Sequence, residues 1–470
     1  MSNTTTHDSG MAASAPNGTV RPGMIVPATI EGIAPDGRGV ASASGRQLLV
    51  RGALPGDEVD ARVFRRRGGR LEATCVSVRR EGYPRREPRC AHTGQCGGCT
   101  WQQWEPGIQH EMKRRMVREA LTRAMPDAAI EVLPVIAAGP EFGYRNKMEF
   151  TFGKDETGAV TLGLHRVGRF DATFDVKHCW IAPEAMNAVR AWVCEWARRH
   201  ALVPYDPRRF VGALRHLVLR EAAATGDVMA NLVCATGEVA GLDELSEGLP
   251  AELPQVKSLL FSVNTRRGDT AHAETTVVLS GRPAISERIG AMEVTVSPIS
   301  FLQTNSAGAE RLYSVVSDVA ALSGEERVLD MYCGIGLIGI SLAPRAREVV
   351  GLEQVPSAVR DANAMRERLG YTHVQFRQGD AEAVLPAWAD CGERFDVVIV
   401  DPPRAGLHPK ALAALVRMSP RVIVYVSCNP VTLAADSAQL CSVGYRIGAA
   451  HPVDLFPHTP HIETVVRLEK

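Results

Sequence analysis

The sequence predicts an α/β protein: a doubly wound parallel sheet at the C-terminus, a mixed α+β region before it and a small β-barrel at the N-terminus. Three patterns predict this. After residue 303, strand-like and helix-like segments alternate, with a glycine-rich turn behind the first strand. Between residues 23 and 78, short runs of two-residue period are separated by Gly and Pro turns. The stretch between is mixed in pattern and opens on a cluster of cysteines. At 470 residues the chain is too long for one ordinary core. The patterns divide it into a tail (1–21), a barrel (22–80), a central domain (81–300) and a C-terminal domain (301–470).

The tail is rich in Ser, Thr, Ala and Asn and reads as disordered, without a hydrophobic signal segment. No run approaches the ~20 apolar residues of a membrane span, so the expected location is the cytoplasm. In the barrel, Val59, Ala61 and Val63 face one way and Asp60, Arg62 and Phe64 the other, with turns at Pro35-Asp36-Gly37 and Leu54-Pro55-Gly56-Asp57. A closed five-stranded barrel is a frequent oligonucleotide binder. Lys plus Arg equals Asp plus Glu at 53 each, so global charge does not argue for nucleic acid. Its distribution does: residues 61–90 hold ten arginines against three acids, a phosphate-binding stripe or a solvated charge run. Through Ile30-Glu31-Gly32-Ile33-Ala34-Pro35-Asp36-Gly37-Arg38-Gly39-Val40 and Ala53-Leu54-Pro55-Gly56-Asp57, the segment resembles the TRAM domain, a barrel module of RNA-modifying enzymes.

Eleven cysteines, an odd number, argue against a disulfide framework. Cys90, Cys96 and Cys99 gather three thiolates around a Gly97-Gly98 pair, and Cys179 can complete a set of four. Four soft thiolates suit zinc or a [4Fe–4S] cluster, and the spacing leaves both open. Cys75, Cys194, Cys234, Cys333, Cys391 and Cys441 read as core residues. Downstream, the pattern predicts a charged helix over 108–125 and strands near 147–152, 214–220 and 259–264.

The C-terminal domain predicts a helix over 307–322, strands over 327–330, 348–353, 374–378, 396–401 and 421–427, and a helix over 357–369. Ligands then sit at the carboxyl ends of those strands. The turn Asp330-Met331-Tyr332-Cys333-Gly334-Ile335-Gly336 lets backbone approach a ligand at a helix N-terminus. Glu353 ends the next strand, where a carboxylate can accept both hydroxyls of a ribose. A dinucleotide enzyme shares this turn, so the downstream motifs decide.

Asp401-Pro402-Pro403-Arg404 lies at the end of a central strand. Amino-group methyltransferases carry an aromatic residue where Arg404 stands, which disfavours adenine N6 as the target. The following strand ends on Ser427-Cys428-Asn429-Pro430, where Asn-Pro breaks the strand and exposes Cys428 in the same crevice. Carbon 5 of uracil is too poor a nucleophile to take a methyl group until a thiolate adds to carbon 6. After the transfer, a base must remove the hydrogen left on carbon 5 before the thiolate leaves. Cys428 is the candidate nucleophile, and Glu463, in His461-Ile462-Glu463-Thr464, the candidate base.

Together with Phe301-Leu302-Gln303-Thr304-Asn305, these motifs occur in the order of the RNA uracil-C5 methyltransferase family, which the chain resembles throughout after the tail. The resemblance implies a class I, Rossmann-like S-adenosylmethionine domain. By it, Gln303, Tyr332, Glu353, Asp380 and Asp401 would contact S-adenosylmethionine, Cys428 would be the nucleophile and Glu463 the base. It also implies that Cys90, Cys96, Cys99 and Cys179 hold a [4Fe–4S] cluster, since subgroups of the family share this spacing. Barrel plus cluster resembles the branch acting on 23S ribosomal RNA, while related enzymes act on the T-loop of transfer RNA; nothing requires more than a monomer. Leu337 departs from the family, where relatives often carry an asparagine. Three rivals each explain less. Cytosine-C5 methylation lacks its cysteine beside Pro402, a dehydrogenase explains only the glycine turn, and a non-catalytic iron–sulfur RNA-binding protein leaves Cys428 and Glu463 idle.

Overall fold

The structure is a computed structural model that describes residues 20–268 and 270–470; nearly all of the tail lies outside the described residues. The chain forms two compact units that meet in sequence between Arg85 and Arg86.

The first unit is the barrel. Its six strands are ordered Ile25–Thr29, Glu58–Arg67, Arg70–Arg80, Arg46–Arg51, Gly39–Ala43 and Gly32–Ile33. The two edge strands are one stretch of chain bent at Ile30 and Glu31. Ile30 N–H donates to Asp57 O (2.9 Å) and Glu31 N–H to Val40 O (2.8 Å), so the bend passes the chain from one neighbour to the other and closes a five-stranded ring. Val59, Ala61 and Val63 are fully buried inside it, as their alternation predicts. Asp57, also fully buried, accepts hydrogen bonds from Leu54 N–H (2.8 Å), Gly82 N–H (2.8 Å) and the Arg85 guanidinium (2.5 Å). That explains an acid at the end of Leu-Pro-Gly-Asp: it ties the turn to the chain leaving the barrel.

The second unit holds two large sheets. The first orders its strands Arg169–Asp175, Val160–Arg166, Lys147–Lys154, Leu214–Glu221, Val228–Cys234, Val256–Val263 and Thr275–Gly281. Helices Glu184–Arg199 and Leu242–Glu252 cover one face around Trp196, Phe150 and Leu217. The second sheet orders Val374–Gln378, Glu348–Glu353, Arg327–Met331, Val397–Val400, Val422–Ser427, Glu463–Glu469, Arg446–Asp454 and Ile136–Ala137. Its first five strands are parallel and Glu463–Glu469 returns antiparallel beside Val422–Ser427.

No division of the packing falls near residue 300. Helix Pro106–Ala124 buries Val117 and Leu121 against the second sheet, and Ile136–Ala137 extends that sheet. Strand order reverses between Arg327–Met331 and Val397–Val400, the switch point where a crevice opens beyond the strand ends. Among the described residues, no helix is long and apolar enough to cross a membrane.

Candidate active site

The strand ends open on a cavity of about 850 Å³, lined by Gln303, Tyr332, Glu353, Asp380, Asp401, Cys428 and Glu463. Every residue the sequence nominates for cofactor or chemistry therefore meets there. The volume is in the range of a site for a cofactor-sized ligand, roughly 300–1,000 Å³.

The glycine turn is shaped by backbone conformation. Tyr332 has φ +61° and Gly336 φ +81°; a Cβ at residue 336 would stand 2.4 Å from the Phe376 ring, so only glycine fits. Glu353 braces the turn, accepting from Gly334 N–H (3.1 Å) and Val355 N–H (2.9 Å). Each of its oxygens keeps a lone pair for a ribose hydroxyl. Asp380 caps helix Ala381–Asp390 by accepting from Glu382 N–H (2.9 Å). Gln303 is held from the first sheet, where Asn146 donates to Gln303 O (3.0 Å) and Asn146 N–H to Thr304 O (2.9 Å).

On the reactive side, strand Val422–Ser427 turns directly into helix Pro430–Ser442, leaving half-buried Cys428 at the elbow. Burial and the nearby Glu463 carboxyl raise its thiol pKa, and a hydrogen bond with the Arg404 guanidinium opposes them. Arg404 also donates to His461 Nδ1 (3.1 Å), which assigns the imidazole proton to Nε2. Burial and Arg404 lower the His461 pKa to about 4, so the ring stays neutral. The Arg404 turn is anchored through its carbonyl, which accepts from Asn429 (2.8 Å) and Thr432 (3.5 Å). Buried Asp436 holds the next residues, accepting from Leu407 N–H (2.8 Å) and the Tyr425 hydroxyl (2.6 Å).

Three acids share this environment. Glu463, 4% exposed, is pushed up to about 8 by burial and by Asp401, against the pull of Arg404. Burial pushes Asp330 to about 7, although its Oδ2 accepts from Gly339 N–H (2.8 Å). Asp401 is also pushed up to about 7 by burial, but it keeps accessible surface, and water there offsets part of that rise.

Comparison with known proteins names this arrangement. Residues 290–470 match the family model for tRNA (uracil-5-)-methyltransferases and residues 20–76 the TRAM domain. The chain is similar to an uncharacterized RNA methyltransferase of Nitratidesulfovibrio vulgaris, 36% identical over 95% of this chain and 96% of the relative. One from Halalkalibacterium halodurans is 37% identical over 95% and 97%. The crystal structure of Pyrococcus abyssi tRNA (uracil-54, C5)-methyltransferase in complex with S-adenosyl-L-homocysteine superposes with a TM-score of 0.75 at 30% identity, covering 95% of this chain and all of that one. The chain belongs to the RNA (uracil-5-)-methyltransferase family. Its second sheet is the class I fold of S-adenosylmethionine-dependent enzymes.

In this methyltransferase the four predicted cysteines also meet. Cys90, Cys96, Cys99 and Cys179 line one cavity of about 460 Å³ beside the first sheet. Gly98 N–H donates to Cys96 Sγ (3.3 Å), and burial with mutual repulsion raises the thiol pKa values of Cys96, Cys99 and Cys179. Among the described residues, no three His, Cys, Asp or Glu side chains converge tightly enough to hold a single ion. Arg145 and Thr304 line both cavities and so form the wall between them. Leu337 lies in the core, 4% exposed, away from the cofactor cavity.

Arg404 and His461 are the methyltransferase's site residues that sequence reasoning left unused. Both stand inside motifs already singled out, yet their hydrogen bond joins positions 57 residues apart, which no local pattern displays. Sequence also gave no sign of the clasp on the loop before Glu463. There Trp101 N–H donates to His458 O (2.9 Å), Gln109 accepts from His458 N–H (2.7 Å) and Lys113 donates to Phe456 O (3.0 Å).

Proposed function

We propose that Cys428 and Glu463 carry out uridine C5 methylation in folded RNA, 23S ribosomal RNA being the target. The observation that carries this reading is the convergence of Cys428, Arg404, Asp401 and Glu463 with the glycine turn on one cavity. S-adenosylmethionine supplies the methyl group as an electrophile, with Gln303, Tyr332, Glu353, Asp380 and Asp401 as the residues that would hold it. Arg404 stabilises the Cys428 thiolate, which adds to carbon 6 and moves electron density onto carbon 5. Once carbon 5 is methylated, ionised Glu463 takes its hydrogen as a proton. The bond between Cys428 and carbon 6 then breaks, restoring the double bond and the thiolate.

Cys90, Cys96, Cys99 and Cys179 line one cavity, and four thiolates are the donor set a [4Fe–4S] cluster takes, which supports reading them as its ligands. In that place a cluster would supply a rigid, closed knot rather than an open iron site. The ribosomal target rests on the barrel and the cysteine set together. Transfer RNA is the second reading, favoured by the transfer-RNA methyltransferase whose structure this chain matches along its whole length.

Nucleoside mass spectrometry of unmodified ribosomal and transfer RNA, after incubation with anaerobically purified protein and S-adenosylmethionine, tests both readings. 5-Methyluridine is expected in the ribosomal RNA; its appearance only in transfer RNA overturns the target. RNA carrying 5-fluorouridine is expected to trap covalently on the wild type and not on Cys428→Ser. Trapping by Cys428→Ser rules out the assigned nucleophile.

A further inference from the structure

Away from the active-site cavity, two arginine-bearing loops meet at one end of the first sheet. One, residues 205–212, leads into strand Leu214–Glu221 and carries Arg208, Arg209 and Phe210; the other, residues 264–274, follows strand Val256–Val263 and carries Arg266 and Arg267. The Arg267 guanidinium lies 4.6 Å over the Phe210 ring. Two features set Phe210 apart. Its φ is +59°, a left-handed backbone that costs a bulky residue about 1–3 kcal/mol, and its side chain is 46% exposed.

The loops are nonetheless firmly built. Phe210 N–H donates to Asp206 O (2.7 Å) and Asp206 N–H to Val211 O (2.8 Å). The Asp206 carboxylate accepts from the backbone of Arg208 (2.8 Å) and Arg209 (3.1 Å). Arg215, 2% exposed, donates to the carbonyls of Asn264 (2.6 Å), Arg266 (2.8 Å) and Gly268. Glu274, the other acid described here, accepts from Thr265 (2.8 Å) and Arg266 (3.2 Å). Arg209 stands 83% exposed, its guanidinium 4.0 Å from the Asp206 carboxylate. Backbone and side-chain hydrogen bonds thus hold the loops in place with Phe210 and Arg209 exposed, which points to a surface kept for a ligand.

We propose that these two loops are a second RNA-docking surface, separate from the barrel and the active-site cavity. Arg208, Arg209 and Arg266 hold backbone phosphates, and Phe210, backed by Arg267, stacks on an unpaired base. Arginine around a single exposed aromatic suits RNA, because phosphate contacts supply affinity and every base offers a stacking face. The surface also measures the substrate. Strand Leu214–Glu221 runs from it to the active-site end, where Arg220 donates to Ser300 O (2.5 Å) beside the Phe301–Gln303 wall. At about 3.3 Å per residue the two ends lie about 20 Å apart. An RNA touching both must extend that far beyond the target uridine, so the enzyme reads a folded molecule and not a short loop.

The proposal needs RNA as substrate and does not depend on whether it is ribosomal or transfer RNA. The test compares wild type, Arg209→Gln, Phe210→Leu and the triple variant R208Q/R209Q/R266Q on each full-length RNA and on a stem-loop carrying only the target uridine. For the triple variant, KM for the full-length substrate is expected to rise about tenfold. The slope of log affinity against log salt should fall by about 2, at ~0.7 per lost phosphate contact. Stem-loop kinetics and S-adenosylhomocysteine affinity should stay at wild-type values. Unchanged affinity and slope for every variant overturn the proposal, as do equal losses on long and short RNA. A changed oligomeric state with unchanged RNA binding assigns the surface to self-association and also overturns it. Arg209→Gln, at a side chain standing in solvent, decides the matter if the triple variant fails to fold.

Discussion

Arg404 is the residue that makes Cys428 usable. Burial and Glu463 both favour the neutral thiol, and the guanidinium is the one cation set against them. Arg404→Gln is therefore expected to move the pH midpoint of Cys428 alkylation by iodoacetamide upward by about one unit or more; an unmoved midpoint would remove Arg404 from this role. The acids make a second, opposite pH dependence. Folded-state pKa values of Asp330, Asp401 and Glu463 are raised, so the native protein keeps protons that the unfolded chain releases above about pH 4. Their stabilising contribution is complete below that pH and is lost as pH climbs to about 8. The proposed chemistry needs Glu463 ionised and Cys428 as thiolate, so kcat/KM is expected to rise between about pH 6.5 and 8.5 while the melting temperature falls. Glu463→Gln should flatten the melting curve against pH, and an unaltered slope would show that Glu463 is not held protonated. Cys428 and Glu463 could be nominated from the sequence because each stands in a short, chemically odd motif, and they line the same cavity. The roles of Arg404 and His461 could not, since they exist only as a contact between two motifs.

At the scale of elements, the loop from Phe456 to Ile462 places Glu463, the proposed base, and helix Pro106–Ala124 places the loop. Lys113 is fully buried and bonds both Asp454 Oδ1 (2.6 Å) and Phe456 O (3.0 Å). Burial lowers its pKa, and Asp454 opposes that fall. Removing one partner of such a pair leaves an uncompensated buried charge and typically costs about 3–5 kcal/mol. Lys113→Ala is expected to lose that much in urea unfolding and to lower kcat, with S-adenosylhomocysteine affinity preserved. A loss under about 1 kcal/mol would show that removing Lys113 does not leave Asp454 as an uncompensated buried charge. The helix was visible in sequence to within two residues at each end, from its charged, apolar-periodic pattern. Its destination was not, because periodicity shows that a face is apolar and never what covers it. The closing bend at Ile30 and Glu31 was hidden for a related reason, as one continuous run serves two neighbours.

For the whole molecule, the cysteine cavity and the cofactor cavity share the Arg145 and Thr304 wall but are built on different sheets. If the proposed cluster is held there, Cys99→Ser is expected to lose iron and visible absorbance while keeping S-adenosylhomocysteine binding. Methyl transfer should drop, since Trp101, two residues on, holds the His458 loop. Full activity in an iron-free Cys99→Ser protein would separate the cysteine set from the reaction. The sequence by itself determined the alternation of the C-terminal sheet and the barrel, and it nominated the cofactor turn, the nucleophile and the base. These are local patterns in which spacing and residue chemistry leave few alternatives. Only the tertiary structure decided which strands neighbour which and that residues 106–137 join the C-terminal sheet. It alone joined Arg404 to His461 and brought the loops of Phe210 and Arg267 together at one sheet end. Those facts depend on contacts across dozens to hundreds of residues, formed by the burial of whole faces, and no window of neighbouring residues contains them.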